Sequence, residues 1–156
     1  LVLVGSSPRF VVGDDWPHGQ PPALLDTFRN AVAEDAKATL SRFVMLFNQG
    51  DEKARALSRS LAPLLSAELP DTGTLLRGLD WLGSVDLRAA LASIAQPTLI
   101  LHGDKDPLMP IAATEQTASA LPDARLVSFA GTAHAPFLAD PATFARQVSD
   151  FCHAAP

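Results

Sequence analysis

The chain has 156 residues, 47% of them hydrophobic and 19% charged, with a formal net charge of −5. That is enough chain to bury one globular core. The acidic balance argues against nucleic acid, which needs a basic face, and leaves a small molecule or another protein as the thing recognised. The single cysteine, Cys152, excludes an internal disulfide framework and fits a reducing cytosol, so a cytoplasmic protein with no membrane span is expected.

Residues 1–20 read as a core strand and loop. Leu1-Val2-Leu3-Val4 is a continuous apolar, β-branched run that suits a buried parallel strand, and it is too short for a signal segment or a span. Gly5-Ser6-Ser7-Pro8 turns the chain out of the sheet, and Arg9-Phe10-Val11-Val12 continues extended, so Ser6 and Ser7 read as turn residues. Residues 21–80 change to a helical period. Leu24, Leu25, Phe28, Ala31 and Val32 form one stripe, and Leu40, Phe43, Val44 and Phe47 form a second before Asn48-Gln49-Gly50. A third helix is expected from Asp51 to Leu65, disturbed near its end by Pro63, and a shorter one after Pro70-Asp71-Thr72-Gly73. A single crossover needs roughly a dozen residues, so this stretch reads as an all-helical insertion.

Residues 81–156 return to alternating strands and helices. A short helix after Val85-Asp86-Leu87-Arg88 precedes a strand at Pro97–Leu101, a helix at Ile111–Leu121, a strand at Arg125–Phe129 and a closing helix at Asp140–His153. Asp140-Pro141 is a helix start, with the acid as N-cap and proline in the first turn. Such alternation implies a parallel sheet.

Two loops carry the chemistry. Asp106 follows the Leu101 strand on a proline-flanked loop, where its carboxylate would stand above the carboxyl edge of the sheet. His134 follows the next strand between the small residues Ala133 and Ala135, which leave an imidazole room to approach a nucleophile while its other nitrogen faces the acid. Asp104 reads as a turn residue, and His102, directly after a strand, as a loop hydrogen-bonding group. Acid then histidine after successive strands is the order of the last two triad members in an α/β hydrolase. The nucleophile motif G-x-S-x-G occurs nowhere in the chain. The expected fold is therefore the C-terminal part of an α/β hydrolase, with parallel strands, flanking helices and the helical insertion as a lid. The front half of the same enzyme would supply the nucleophile. No metal-ligand spacing and no cofactor loop is present in the sequence.

Arg55 and Arg59 share a helix face, and Arg42 lies on the preceding helix. The patch could receive a phosphate or an acidic partner, or be a solvated surface with Asp51 and Glu52 as counter-charges. Phe43, Val44, Met45, Leu46 and Phe47 give the lid an apolar underside, either plain core or the roof of a substrate channel.

The stretches Ser6-Ser7-Pro8-Arg9-Phe10, Asp14-Asp15-Trp16-Pro17, Arg42-Phe43, Asp86-Leu87-Arg88 and Ala133-His134-Ala135-Pro136-Phe137 together resemble one family. It is the carboxylesterases that cleave pimeloyl-acyl-carrier-protein methyl ester in biotin synthesis. The resemblance implies Asp106 and His134 as triad acid and base, and Phe43 to Phe47 and Leu108 as acyl-chain contacts. It further implies Arg42, Arg55 and Arg59 as the receivers of an acyl-carrier protein and its phosphopantetheine phosphate. The chain departs from that pattern at Ala38, where a further lid arginine is usual, and at Phe47, where glutamine is common. Other readings stay open: a dehalogenase or epoxide hydrolase of the same superfamily with an aspartate nucleophile, or a non-catalytic binding module.

Overall fold

The computed structural model describes residues 1–63 and 69–154. Its centre is β2 (Thr98–Gly103), all of whose residues are buried. β1 (Val2–Val4) pairs with β2 on one side and β3 (Ala124–Phe129) on the other, both in parallel, giving the order β1-β2-β3. Successive side chains of a strand alternate faces, so an uninterrupted apolar strand must be covered on both. Leu99 and Leu101 pack with Phe129 and with Phe144, Val148 and Phe151 of α6 (Pro141–Ala154). Ile100 points the other way, into Leu91, Leu121 and Leu126. Burying each such side chain contributes about 1.5–3 kcal/mol, so β2 anchors the strand ends from which the functional loops leave.

α4 (Ile111–Ala120) links β2 to β3 and rests beside a 3₁₀ turn at Arg88–Ser93. α6 starts as its sequence dictates: Asp140 Oδ1 accepts the Thr143 N–H at 3.1 Å, and Pro141 occupies the first turn. These bonds from Thr143 hold the Asp140 carboxyl below its ordinary range. A short α5 (Pro136–Ala139) precedes it, started by Pro136, which the hydrophobic pattern alone does not announce.

The helical segment lies between β1 and the 3₁₀ turn. The two expected stripes form one element, α1 (Pro22–Phe47), broken at Asp35, which has φ −150° and ψ 91°. Asp35 accepts the Ala38 N–H at 2.9 Å and so caps the second half. The third helix is shorter than expected: α2 (Ala54–Leu61) starts late because Asp51 turns the chain, with Ala54 N–H bonded to its carbonyl. Its expected end at Leu65 lies outside the described residues. α3 (Thr72–Ser84) is the correction in the other direction, at 13 residues against 8 for α2, and it runs past residue 80. Asp71 caps it firmly through Thr74, and packing on α1, with the Arg29–Asp80 ion pair at 2.7 Å, outweighs the propensity cost of its glycines. No helix among the described residues is long and apolar enough to cross a membrane.

Candidate active site

β2 delivers the acid. Past Gly103 the chain turns, and Asp106 Oδ1 accepts the backbone N–H groups of Leu108 at 2.8 Å and Met109 at 3.0 Å. Gln20 braces the same loop from below, its Nε2 donating to the carbonyls of Pro107 and Leu108, each at 2.9 Å. His102 braces it from the strand side. Its Nε2–H donates to Met109 O at 2.8 Å, and its Nδ1 faces the Thr114 hydroxyl at 3.0 Å. That tautomer is neutral, and burial pushes the His102 pKa down. At 3.7 Å from Asp106 Oδ2, His102 is outside hydrogen-bond range and leaves that oxygen for another partner.

β3 delivers the histidine. The loop after Phe129 crosses tightly over β2: Lys105 N–H bonds Thr132 O at 2.9 Å, and Asp104 Oδ1 accepts Gly131 N–H at 2.8 Å. Gly103 permits the crossing, because a Cβ there would overlap the carbonyl oxygens of Ala133 and Thr132. His134 then stands with Nδ1 at 2.7 Å from Asp106 Oδ2. The acid side chain is fully enclosed and the histidine side chain 21% exposed. Since a carboxylate can only accept, Nδ1 carries the proton, and Nε2 presents its lone pair as a general base. Gly5, at φ +50°, lies under the ring, and a Cβ there would come within 3.0 Å of His134 Cε1. Phe47 meets the ring edge-to-face at 4.8 Å between centroids.

The other expected site residues divide. Phe43 stacks on Phe28 and on Phe47, and so belongs to the face that reaches His134. Val44 is half-buried, while Met45 is 71% exposed and turned to solvent, because five consecutive helical residues cannot share one face. Leu46 lines, with Arg42, Phe43 and Leu24, an open groove of about 270 Å³ between the halves of α1. Leu108 is half-buried, and its backbone serves the acid loop. Arg42, Arg55 and Arg59 are exposed, with Arg59 Nε on the Arg55 carbonyl at 3.3 Å. Asp51 is not their counter-charge, since its carboxylate binds the N–H groups of Lys53 and Ala133. Ser7 is a turn residue, its hydroxyl bonded to Arg9 O. Sequence reasoning missed Gln20, Gly5 and Asp51, whose partners lie far along the chain.

The stretches containing Arg9, Asp15-Trp16 and Asp86-Leu87-Arg88 meet in one network. Arg9 bonds Asp86 at 3.1 Å, Arg88 bonds Asp86 at 2.7 Å and Asp15 at 3.1 Å, and Trp16 Nε1 donates to Arg9 O. The Arg88 guanidinium also lies over the Trp16 ring. Its hydrogen bonds hold the Asp86 and Asp15 carboxyls below the ordinary range, and the Arg88 pKa is raised in turn. This network ties the loop after β1 to the start of the 3₁₀ turn.

Residues 1–141 match the family described as alpha/beta hydrolase fold. The chain belongs to that family. Among curated relatives of this α/β hydrolase, the pimeloyl-[acyl-carrier protein] methyl ester esterase of Aromatoleum aromaticum is 42% identical, over 96% of this chain and 62% of the relative. The protein of that name from Nitrosomonas europaea is 41% identical, over 92% and 58%. The chain thus spans about three fifths of the length of these relatives. Among solved structures, an esterase from Exiguobacterium antarcticum superposes with a TM-score of 0.88 at 24% identity, covering 99% of this chain and 57% of that one. A bromoperoxidase from Bacillus anthracis gives 0.84 at 24%, covering 97% and 57%. At that identity, these two establish the fold alone.

Proposed function

We propose that this chain is the C-terminal part of a serine carboxylesterase that hydrolyses the methyl ester of a pimeloyl group held on acyl-carrier protein, a step of biotin synthesis. The observation that carries the chemistry is His134 Nδ1 at 2.7 Å from Asp106 Oδ2, which leaves Nε2 as the base. The substrate reading rests on the relatives' names and on the lid arginines, which suit a phosphopantetheine phosphate. The nucleophilic serine comes from outside this sequence, which contains no G-x-S-x-G.

In this reading the serine hydroxyl attacks the ester carbonyl while His134 Nε2 takes its proton. The tetrahedral adduct collapses, methanol leaves with that proton, and an acyl-enzyme remains. Water then attacks the acyl-enzyme, again giving its proton to Nε2, and serine leaves with it as the free acid is released. Asp106 stabilises the imidazolium in both halves. Residues 21–80 act as the lid, with Phe43 and Phe47 placing apolar surface over the base.

The test is methanol release from pimeloyl-carrier methyl ester by the full-length enzyme. Turnover abolished by His134→Ala is expected, and none should come from the 156-residue chain alone. Ester turnover by that chain, lost in His134→Ala, would place the nucleophile inside it and overturn this part of the reading.

A further inference from the structure

The turn between α1 and α2 is fastened to the histidine loop. Asp51 is 8% exposed, and its two carboxylate oxygens serve two different segments. Oδ1 accepts the Lys53 N–H at 2.7 Å within the turn, and Oδ2 accepts the Ala133 N–H at 3.0 Å, 82 residues away. Ala133 is wholly buried and adjoins His134 in the chain. Its N–H would be costly to leave unpaired. Flanking bonds repeat the connection: Glu52 N–H to Gly131 O at 3.0 Å, and Lys53 Nζ to Ala139 O at 2.5 Å. Among the described residues, Asp51 has no cationic partner within 4 Å, so these backbone donors are what compensate its buried charge.

We infer that Asp51 is a positioning residue for His134, setting the height of the base above the sheet from the lid side so that lid and base move as one unit. This rests on the esterase reading above only for its kinetic readout. Asp106 fixes the ring's tautomer and one in-plane direction, whereas Asp51 fixes the backbone from which the ring hangs. A base displaced by about 1 Å loses on the order of a hundredfold in proton transfer. Asp51 touches no reacting atom, so its loss should act on kcat and spare KM.

The experiment uses the full-length enzyme with p-nitrophenyl butyrate, a substrate too small to report carrier docking. Asp51→Ala should lower kcat about tenfold or more with KM within about twofold. Asp51→Asn, whose one oxygen can still accept the Ala133 N–H, should fall between it and wild type. Independently of turnover, the deshielded Nδ1 proton of the His134–Asp106 bond should shift or broaden in the proton NMR spectrum of Asp51→Ala. A folded Asp51→Ala with wild-type kcat and resonance, or with a change in KM alone, overturns the inference. Should the alanine variant fail to fold, Asp51→Asn decides by the same readings. Wild type inactive on esters, or activity surviving His134→Ala, defeats the esterase reading instead, and the resonance still decides the role of Asp51.

Discussion

Asp106 has no spare oxygen. Oδ1 is committed to the Leu108 and Met109 N–H groups and Oδ2 to His134, so the site dictates which atom of any replacement faces the imidazole. In Asp106→Asn the amide oxygen must take the place of Oδ1, because an NH₂ there would meet two N–H donors. The amide nitrogen then faces His134 Nδ1 and turns it into an acceptor, which puts the ring proton on Nε2 and removes the base. Asp106→Asn in the full-length enzyme should therefore lose about a thousandfold or more in kcat while folding normally. Steady-state kinetics with circular dichroism checks both statements, and a loss below tenfold would mean that the tautomer is set elsewhere. His102, close by, illustrates the opposite use of the same side chain. With both nitrogens bonded in a buried setting, it holds Met109 in place, and burial disfavours its charged form.

The elements differ in how openly the sequence announces them. β2 and α6 could be read because their signals are local: an apolar run between turns, and Phe144, Val148 and Phe151 at helical spacing behind Asp140-Pro141. Asp106 and His134 could be read because each follows such a strand. Gln20, Asp51 and the Gly131–Asp104 bond could not, since each joins segments far apart in sequence, and a single polar contact leaves no period. α3 is longer than its local signals suggest, because its glycines lower helix propensity while its packing on α1 exists only in three dimensions. The Arg9–Asp15–Asp86–Arg88 network is of this same hidden kind and has a pH signature. Asp86 and Asp15 are depressed below their unfolded pKa, so their contribution is complete above about pH 4 and is lost as pH falls toward their folded values. Arg88→Ala should therefore lower Tm at pH 7, and the gap to wild type should narrow between about pH 4 and pH 2. Thermal melts across that range test it, and a gap that stays constant into acid would assign the effect to Arg88 packing on Trp16 instead.

For the molecule as a whole, the Asp106–His134 pair and the exposed arginines sit on different elements. The Asp106 carboxylate lies enclosed at the carboxyl edge of the sheet with the partly exposed His134 beside it, whereas Arg55 and Arg59 stand exposed on α2, and Arg42 stands on the second half of α1. In a chain of net charge −5, exposed arginines of this kind are the local positive charge that the proposed acidic carrier would need. Asp51 is turned inward and bonded to backbone, and among the described residues no acid lies within 4 Å of the Arg42, Arg55 or Arg59 guanidinium groups. If the proposed carrier ester is the substrate, charge-assisted contacts to its phosphate and to an acidic carrier surface should matter for that ester and not for a small neutral one. Replacing Arg55 and Arg59 together by Ala in the full-length enzyme should cost roughly tenfold or more in kcat/KM for pimeloyl-carrier methyl ester, and almost nothing for p-nitrophenyl butyrate. Added salt should weaken the wild-type enzyme on the carrier ester in the same direction, since exposed charges are screened. Equal losses on both substrates would show that the arginines support the lid fold, and no loss on either would return them to an ordinary solvated helix face.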